Sequence, residues 1–329
     1  MSTLILPGVF IIVGIFLLLW SADLFIKGAI SIANKLGAPR LLIGIVIIGF
    51  GTSLPELIVS ATSALKANPK IALGNAYGSN IFNIGLILGI TAIINPIIVQ
   101  TNTLKREFPI LILITLLSIY LLWDLSISRT DSIILLVIFL LAIIGMMWQD
   151  LYSKKAPILN EEESEIEKTS MSLVKSISFS IIGLIILISS SNLLLQNAVE
   201  IAQYFNISEL IIGLTIVAIG TSLPELASSI VAARKGENSL ALGNIIGSNI
   251  FNTLTVVGVA GVIHQPFKAD AEVLSRDMPV MLILSLILLI FSFPLIRSKT
   301  PGMINRIEGL LLLIAVILYN ISLFYLTTH

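Results

Sequence analysis

The chain has 329 residues, of which 56% are hydrophobic and only 12% are charged, and its mean hydropathy is +1.03. This composition lies far outside that of soluble domains and indicates an integral membrane protein. The formal net charge is zero, and the lack of cysteine excludes disulfides, iron–sulfur clusters and thiol chemistry.

Apolar segments long enough to cross a hydrocarbon core of ~30 Å as helices recur along the whole chain. No basic region precedes the first of them, which predicts a retained span and not a cleaved signal peptide. The first half is predicted to span the membrane at 5–33, 40–66, 71–95, 107–124 and 130–149, and the second at 173–203, 208–234, 239–264, 277–295 and 304–326. The sequence therefore predicts an all-α membrane protein with ten transmembrane helices.

Residues 150–172 separate the two predicted units, 1–149 and 173–329, and carry an acidic run that predicts a solvated cytoplasmic linker. Basic residues are held on the cytoplasmic side of a membrane. With the N-terminus outside, 14 of the 19 Lys and Arg residues fall in inside loops and their flanks. We therefore expect a multi-pass protein of the cell (inner) membrane with both termini outside.

The chain is an internal duplication, because residues 44–83 return 169 positions later as residues 213–252 with 22 of 40 positions identical. The identities concentrate in Gly-Thr-Ser-Leu-Pro-Glu-Leu (51–57 and 220–226) and Gly-Ser-Asn-Ile-Phe-Asn (78–83 and 247–252). Since each half has an odd number of predicted spans, the two copies enter the membrane from opposite faces. Two inverted five-helix repeats are typical of secondary transporters.

A proline interrupts the second span of each half. Pro55 and Pro224 cannot donate a backbone hydrogen bond, so the carbonyls of Gly51 and Gly220 lose their helical partners. Broken backbone at this depth is tolerated only where it is buried in protein or lines a cavity. The hydroxyl residues before each proline are predicted to cap the helix that restarts there: Thr52, Ser53, Thr221 and Ser222.

Oxygen-bearing side chains follow the break at helical spacing. They are Thr52, Glu56 and Ser60 with Asn75, Ser79 and Asn83 in the first copy, and Thr221, Glu225 and Ser229 with Asn244, Ser248 and Asn252 in the second. Asn80 and Asn249 point off these faces and are expected to pack or to act as hinges. Glycines at small-xxx-small spacing, Gly74 with Gly78 and Gly243 with Gly247, allow the helices to approach closely.

The two repeated glutamates carry the functional prediction. A carboxylate near mid-membrane costs roughly 2.5–3.5 kcal/mol on insertion scales, so a repeated pair indicates a function. Ca²⁺ prefers hard oxygen ligands of this kind. Two negative charges, from Glu56 and Glu225, neutralise one Ca²⁺ or two Na⁺, which is how one site could exchange the two ions.

The doubled motifs Gly-Thr-Ser-Leu-Pro-Glu and Gly-Asn-x-x-Gly-Ser-Asn-Ile-Phe-Asn resemble the two α-repeats of the cation/Ca²⁺ antiporter superfamily, most closely its prokaryotic sodium/calcium exchanger branch. The resemblance covers nearly the whole chain. It implies exchange of Ca²⁺ for Na⁺, with Ca²⁺ held centrally by Glu56 and Glu225 and Na⁺ at flanking sites. The further ligands that it implies are Thr52, Thr221, Ser53, Ser222, Ser79, Ser248, Asn83 and Asn252, with main-chain oxygens of Gly49 and Ala218.

The counter-ion has an alternative. Asn83 and Asn252 are both amides, whereas some members of that family carry an aspartate at one of these positions. Because of this difference, H⁺ is retained as an alternative to Na⁺ as the counter-ion. Proton-coupled relatives usually carry Asn-x-x-Glu in place of Ser-Leu-Pro-Glu, which favours Na⁺.

Outside the motifs, Asp23 and Lys27 lie four residues apart on the first span and are predicted to form a structural ion pair.

Three other classes of protein share part of this pattern. A cation channel uses similar ligands but normally builds its filter from several subunits, and coupled counter-flow in vesicles separates it from an exchanger. A membrane serine protease using Ser53 or Ser222 lacks a nearby His or Lys as base. A structural protein has no reason to duplicate two buried glutamates. We therefore predict a transporter and not an enzyme, with no cofactor, no nucleic acid and no obligatory protein partner, able to act as a monomer.

Overall fold

The structure of the chain is a computed structural model that describes residues 2–153, 171–205, 218–265, 267–293 and 302–328. Most of the predicted linker, and the first part of the predicted span 208–234, therefore lie outside the described residues. The elements of the first half, where π marks a wider helical turn, are α1 (Ser2–Leu36), α2 (Arg40–Ile43), π1 (Gly44–Gly49), α3 (Phe50–Thr52), α4 (Leu54–Leu65), α5 (Pro69–Phe82), π2 (Asn83–Ile87), α6 (Leu88–Ile94), β1 (Ile97–Val99), α7 (Thr101–Lys105), α8 (Glu107–Leu121), β2 (Ser126–Ile127) and α9 (Arg129–Ser153).

The second half repeats much of this order. Its elements are α10 (Leu173–Tyr204), α11 (Ala218–Thr221), α12 (Leu223–Arg234), α13 (Asn238–Phe251), π3 (Asn252–Val256), α14 (Val257–Ile263), β3 (Phe267–Lys268), π4 (Val273–Asp277), α15 (Met278–Ser292), β4 (Gly302–Ile304) and α16 (Arg306–Thr328). The wider turns π2 and π3 fall at equivalent places, each directly after the repeated Gly-Ser-Asn-Ile-Phe.

Several helical stretches are long and apolar enough to cross a membrane, so the chain is a multi-span membrane protein. Within the described ranges there are seven: Leu4–Leu36, Pro69–Ile94, Arg129–Trp148, Leu173–Tyr204, Asn238–Ile263, Val273–Ser292 and Arg306–Leu323. The pair Arg40–Thr52 and Leu54–Leu65, bent by 44°, makes an eighth if it is one span. These stretches coincide with eight of the predicted spans. The helix found at the predicted span 107–124 is shorter than that prediction: α8 has 15 residues, which make about 22 Å of helix.

Two short antiparallel ribbons, which the sequence did not predict, join the halves of the chain. Strand β1 pairs with β4, with Ile97 opposite Ile304, and β2 pairs with β3. Pro96 explains the first ribbon, because it biases the preceding residue towards extended backbone, and Asn95 accordingly ends α6 at φ −143° and ψ 115°. The predicted all-α class still describes the chain, since each strand has only two or three residues.

The helices that carry the repeated motifs form the centre of the molecule. The stretches that contain α5 and α13 consist mostly of buried residues, whereas most residues of α9 and α1 are exposed or half-buried. The lipid-facing helices include the two long ones, α1 and α10, which pack along each other. A Cβ at Gly183 would lie 2.7 Å from the backbone nitrogen of Phe25, and one at Gly28 would lie 2.6 Å from that of Ser180. Glycine therefore lets the two long helices meet backbone to backbone.

An ion-pair cluster joins α1 to the second half of the chain at one end of this helix pair. Asp23 contacts Lys27 at 2.7 Å, which confirms the predicted pair, and also Lys235 after α12 at 2.8 Å. Arg40 contacts Glu237 at 3.3 Å, and it also donates to the carbonyl of Ile30. The repeat-equivalent residues of Asp23 and Lys27 are Asn192 and Gln196, so the cluster is not duplicated.

We expect Arg40→Gln to lower the free energy of unfolding by about 3 kcal/mol, because it leaves the Glu237 carboxylate buried without its partner. The Glu237 side chain is only 4% exposed. Burial raises the pKa of Glu237, and Arg40 opposes this effect. A protonated Glu237 needs no partner, so the penalty should shrink as the pH falls. Thermal unfolding in detergent checks this, with Arg40→Gln/Glu237→Gln as the control that should recover part of the loss; equal losses at all pH values would contradict it.

Candidate functional site

Each proline-containing span breaks at the serine two residues before the proline. Ser53 has φ −85° and ψ 8°, and Ser222 has φ −91° and ψ 6°, outside the helical range in both copies. The carbonyl of Gly220, which Pro224 deprives of its helical partner, accepts a hydrogen bond from the Ser191 hydroxyl at 2.8 Å. The break is thus buried against a neighbouring helix, as such backbone must be in a membrane.

The predicted capping role is wrong for the two serines. Neither Ser53 nor Ser222 makes a side-chain cap to the helix that follows. Ser53 instead donates its hydroxyl to Oε1 of Glu225 at 3.1 Å, and Thr52 donates to the carbonyl of Ile48 at 3.0 Å. One cause is common to both copies: Pro55 and Pro224 stand at the second position of their helices and have no N–H for such a cap.

Glu56 and Glu225 lie one helical turn beyond the breaks, at the start of α4 and α12. Each side chain is 1% exposed. The hydroxyl of Ser53, three residues before Glu56, lies 3.1 Å from Oε1 of Glu225, so Glu225 lies beside the helix break that precedes Glu56. Among the described residues, both carboxylate oxygens of Glu56 and Oε2 of Glu225 have no hydrogen-bond partner. The structure therefore brings the two repeated carboxylates together in the buried interior.

Asn75 and Asn244 hold the motif helices in place, contrary to the expectation that they would line the site with Ser60 and Ser229. The amide of Asn75 donates to the carbonyl of Glu56 and to the Ser60 hydroxyl, both at 3.0 Å. The amide of Asn244 makes the same contacts with Glu225 and Ser229, at 3.1 and 2.8 Å. These four residues therefore serve to bind one helix of each copy to the next.

Contacts between the two halves surround the carboxylates. Thr52 Oγ1 lies 3.1 Å from Asn244 Oδ1, and the Ser248 hydroxyl donates to the carbonyl of Gly49 at 3.3 Å. A Cβ at Gly49 would lie 2.9 Å from the backbone nitrogen of Ser248, so only glycine permits this approach of π1 to α13. On the α5 side, beyond the neighbouring backbone of α5 itself, no described atom lies within 4 Å of a Cβ placed at Gly74 or Gly78. The predicted close packing is therefore confirmed for the second pair of glycines alone.

A second layer of amides adjoins the carboxylates. The amide nitrogen of Asn83 donates to Oδ1 of Asn249 at 2.9 Å, and that of Asn80 donates to the Thr253 hydroxyl at 2.7 Å. The prediction missed the contact of Asn249 with Asn83. The duplication could have indicated a role for Asn249, because asparagine occupies the equivalent positions 80 and 249 in both copies.

Buried polar atoms without partners concentrate here. Within the part of the chain that the structure describes they include Glu56 Oε1 and Oε2, Glu225 Oε2, Asn80 Oδ1, Asn83 Oδ1, Ser222 Oγ and both polar atoms of the Asn252 amide. Burying such groups without a partner is costly, and for a charge the cost is large. An oxygen set of this kind, with two carboxylates and no basic residue among its members, is suited to cations.

The remaining predicted ligands lie on the same elements. Ser79 is 6% exposed on α5, and Thr221 is 7% exposed at the end of α11. Ala218 begins α11, and Gly49 ends π1. Among the described residues, no group of three or more His, Cys, Asp or Glu side chains could hold a metal ion. In the described part of the chain, the two glutamates are therefore not members of a larger acidic cluster.

Comparison with known proteins identifies the family of the chain. The family described as "Sodium/calcium exchanger protein" matches residues 6–148 and 175–326. A protein named CaxA from Alkalimonas amylolytica is 45% identical over 322 residues, covering 98% of this chain and 99% of the relative. The inner membrane protein YrbG of Escherichia coli (strain K12) is 39% identical, with 98% of each chain covered.

The fold also matches solved structures. The sodium–calcium exchanger NCX_Mj, soaked with 10 mM Na⁺ and zero Ca²⁺, superposes with a TM-score of 0.82 at 34% identity, covering 97% of this chain and 99% of the other. Both halves of the chain are thus matched at the level of family and of fold. The chain belongs to the sodium/calcium exchanger family, a family of cation/Ca²⁺ antiporters.

Proposed function

We propose that this chain exchanges Ca²⁺ for Na⁺ across the cell membrane, by alternating access of the central site to the two faces. One observation carries the proposal: two buried carboxylates from opposite halves lie together among oxygens that have no partner in the described part of the chain. The pair balances one Ca²⁺ or two Na⁺. Each ion therefore offsets the burial of the same two charges, while the empty site would be costly to carry across the bilayer.

The residues of the site have distinct proposed roles. Glu56 and Glu225 bind Ca²⁺ from opposite sides, and the Ser53 hydroxyl fixes the Glu225 carboxylate by donating to it. Flanking oxygens complete the Ca²⁺ and Na⁺ sites; they are the side chains of Thr52, Thr221, Ser53, Ser222, Ser79, Ser248, Asn83 and Asn252 and the main-chain oxygens of Gly49 and Ala218. Neutral hydroxyl and amide oxygens suit hard cations without adding charge.

The proposed architecture is ten transmembrane helices in two inverted repeats, residues 1–149 and 173–329, joined by a cytoplasmic linker at 150–172. Both termini lie outside the cell, because this orientation places most Lys and Arg residues inside. The inverted arrangement is supported by the equivalent breaks at Ser53 and Ser222 and the equivalent wider turns π2 and π3. No protein partner is required in this scheme, and a monomer can carry out the cycle.

The counter-ion is tested by ⁴⁵Ca²⁺ uptake into proteoliposomes loaded with Na⁺. We expect uptake that depends on the outward Na⁺ gradient and is unaffected by an imposed pH gradient, because the pair of carboxylates can be neutralised by two Na⁺. Liposomes without protein give the background. Uptake driven by the pH gradient and indifferent to Na⁺ would assign the cycle to H⁺ coupling, the alternative that the amides at Asn83 and Asn252 keep open. Uncoupled flux of both ions in the same direction would indicate a channel.

A further inference from the structure

We propose that Asn249 is a positioning residue that fixes the orientation of the Asn83 amide, so that the Asn83 carbonyl oxygen faces the transported cation. The inference rests on the proposed function, because it assigns Asn83 to the ion site. It adds a residue outside the predicted ligand set, and one that the sequence placed on another face of its helix.

The contact between the two side chains carries the argument. The amide nitrogen of Asn83 donates to Oδ1 of Asn249 at 2.9 Å, and both residues are 1% exposed. Oδ1 of Asn83 has no partner among the described residues. Since the oxygen and nitrogen of an amide lie on opposite sides of its carbon, anchoring the nitrogen on Asn249 turns the oxygen away from it.

The orientation matters because the two ends of an amide act in opposite ways on a cation. The oxygen is an acceptor that can bind the ion, whereas the nitrogen carries two hydrogens that repel it. The two ends have nearly the same size, so packing alone does not distinguish them. An amide turned over by 180° would remove one ligand and could donate to a neighbouring carboxylate, in competition with the ion.

The repeat-related pair of residues shows that this contact is specific and not a by-product of the repeat. In that pair, Asn80 of the first half corresponds to Asn249, and Asn252 of the second half corresponds to Asn83. Asn80 donates to the hydroxyl of Thr253 at 2.7 Å, and neither polar atom of Asn252 has a partner within the described ranges.

A single sequence difference accounts for the asymmetry. The repeat equivalent of Thr253 is Ile84, which has no hydroxyl to hold Asn249 in the same way. Asn249 is therefore available to Asn83, whereas Asn80 is held by Thr253. The site consequently has one anchored amide and one amide that can adapt to its ion.

The test measures the half-saturating Ca²⁺ concentration and the maximal rate of Na⁺-driven ⁴⁵Ca²⁺ uptake in proteoliposomes. Asn249→Ala is expected to raise the half-saturating concentration roughly 5- to 10-fold, the effect of about one lost hydrogen bond, with little change in maximal rate. Asn249→Asp keeps an acceptor for the Asn83 nitrogen and adds an acidic group, so it should not raise the half-saturating Ca²⁺ concentration as Asn249→Ala does. Thr115→Val on α8 is the matched control, because the buried Thr115 hydroxyl donates to the carbonyl of Leu111 in its own helix; it should leave both constants unchanged.

A double-mutant cycle separates positioning from packing. In an Asn83→Asp background both ends of the side chain are oxygens, so its orientation no longer matters. The effect of Asn249→Ala on Ca²⁺ affinity should then vanish or reverse. The same loss of affinity in both backgrounds, or a loss of maximal rate or stability alone, would overturn the proposal.

Two further outcomes are assigned in advance. If Asn249→Ala yields no folded protein, Asn249→Leu replaces it, because leucine has a similar volume to asparagine. If Asn249→Ala, Asn249→Leu and Asn249→Asp all fail to fold, the role of Asn249 is purely structural and the proposed positioning role is contradicted. Failure of the proposed function looks different, since it would appear as wild-type protein without Na⁺-driven uptake or as intact uptake by Glu225→Gln. If wild type shows Na⁺-driven uptake and Glu225→Gln loses it, but the Asn249 variants bind Ca²⁺ with normal affinity, only the positioning role of Asn249 is refuted.

Discussion

Glu56→Gln and Glu225→Gln are each expected to abolish Na⁺-driven Ca²⁺ uptake, with a loss of at least ~100-fold. Each substitution keeps the shape of the side chain and removes one of the two negative charges that balance Ca²⁺ in the buried site. With one carboxylate left, one of the two positive charges of the buried Ca²⁺ has no balancing negative charge, which costs roughly 3 kcal/mol or more. A cost of 1.4 kcal/mol corresponds to a factor of ten. The ⁴⁵Ca²⁺ assay in Na⁺-loaded proteoliposomes measures the loss.

Stability measurements distinguish this result from misfolding. Both oxygens of Glu56 lack partners in the described part of the chain, so Glu56→Gln removes a buried charge that nothing else in that part offsets. The variant should therefore unfold at the same temperature as wild type or a higher one without Ca²⁺, and it should lose the stabilisation that bound Ca²⁺ gives wild type. Glu200→Gln on α10 makes the same change at an exposed position and should alter neither property. Normal transport by either site variant would remove that glutamate from the site.

Gly247→Ala is expected to lower the free energy of unfolding by about 3 kcal/mol, the upper end of the usual cost of overpacking. A Cβ at Gly247 would lie 2.6 Å from both Cα and the carbonyl oxygen of Ile45. Main-chain atoms cannot turn aside as the end of a flexible side chain can, so α13 and π1 must separate. That separation would also break the contact of Ser248 with Gly49, and Ca²⁺ uptake should fall with the stability.

The repeat supplies a matched control for this prediction. Gly78 is the equivalent glycine of the first copy, and beyond the neighbouring backbone of its own helix no described atom lies within 4 Å of a Cβ placed there. Gly78→Ala should therefore cost much less. Thermal unfolding of the two variants in detergent, with size-exclusion profiles, gives the comparison; equal stability of both variants would contradict the close approach of α13 to π1.

The sequence predicted a multi-span all-α membrane protein with two buried glutamates, because the same motif occurs in both halves and its two copies can be compared. The doubled Ser-Leu-Pro-Glu predicted an interruption of the second span in each half, since proline interrupts a helix, and the structure has these interruptions at Ser53 and Ser222. Hydropathy located the spans that the structure describes as long apolar helices. It overestimated the span at 107–124, where apolar residues continue beyond the end of α8 into a turn.

Hydrogen-bond partners could not be predicted in the same way. Helical spacing places Ser60, Asn75 and Glu56 on facing surfaces, but it does not say whether an amide turns to the site or to the neighbouring backbone. Ser53 was expected to cap its own helix and instead contacts Glu225, which lies 172 residues away in the chain. Such choices depend on which group of the other half comes within about 3 Å, and this distance follows only from the packing of the whole molecule.

The two long helices have a consequence for the surrounding bilayer. With 35 and 32 residues, α1 and α10 are each about 50 Å long, whereas the hydrocarbon core measures ~30 Å. Helices of excess length adapt by tilting, and the backbone contacts at Gly28 and Gly183 make this pair tilt as one body. The preferred tilt therefore depends on lipid acyl-chain length, and the speed of exchange should change when the same protein is moved between thin and thick membranes.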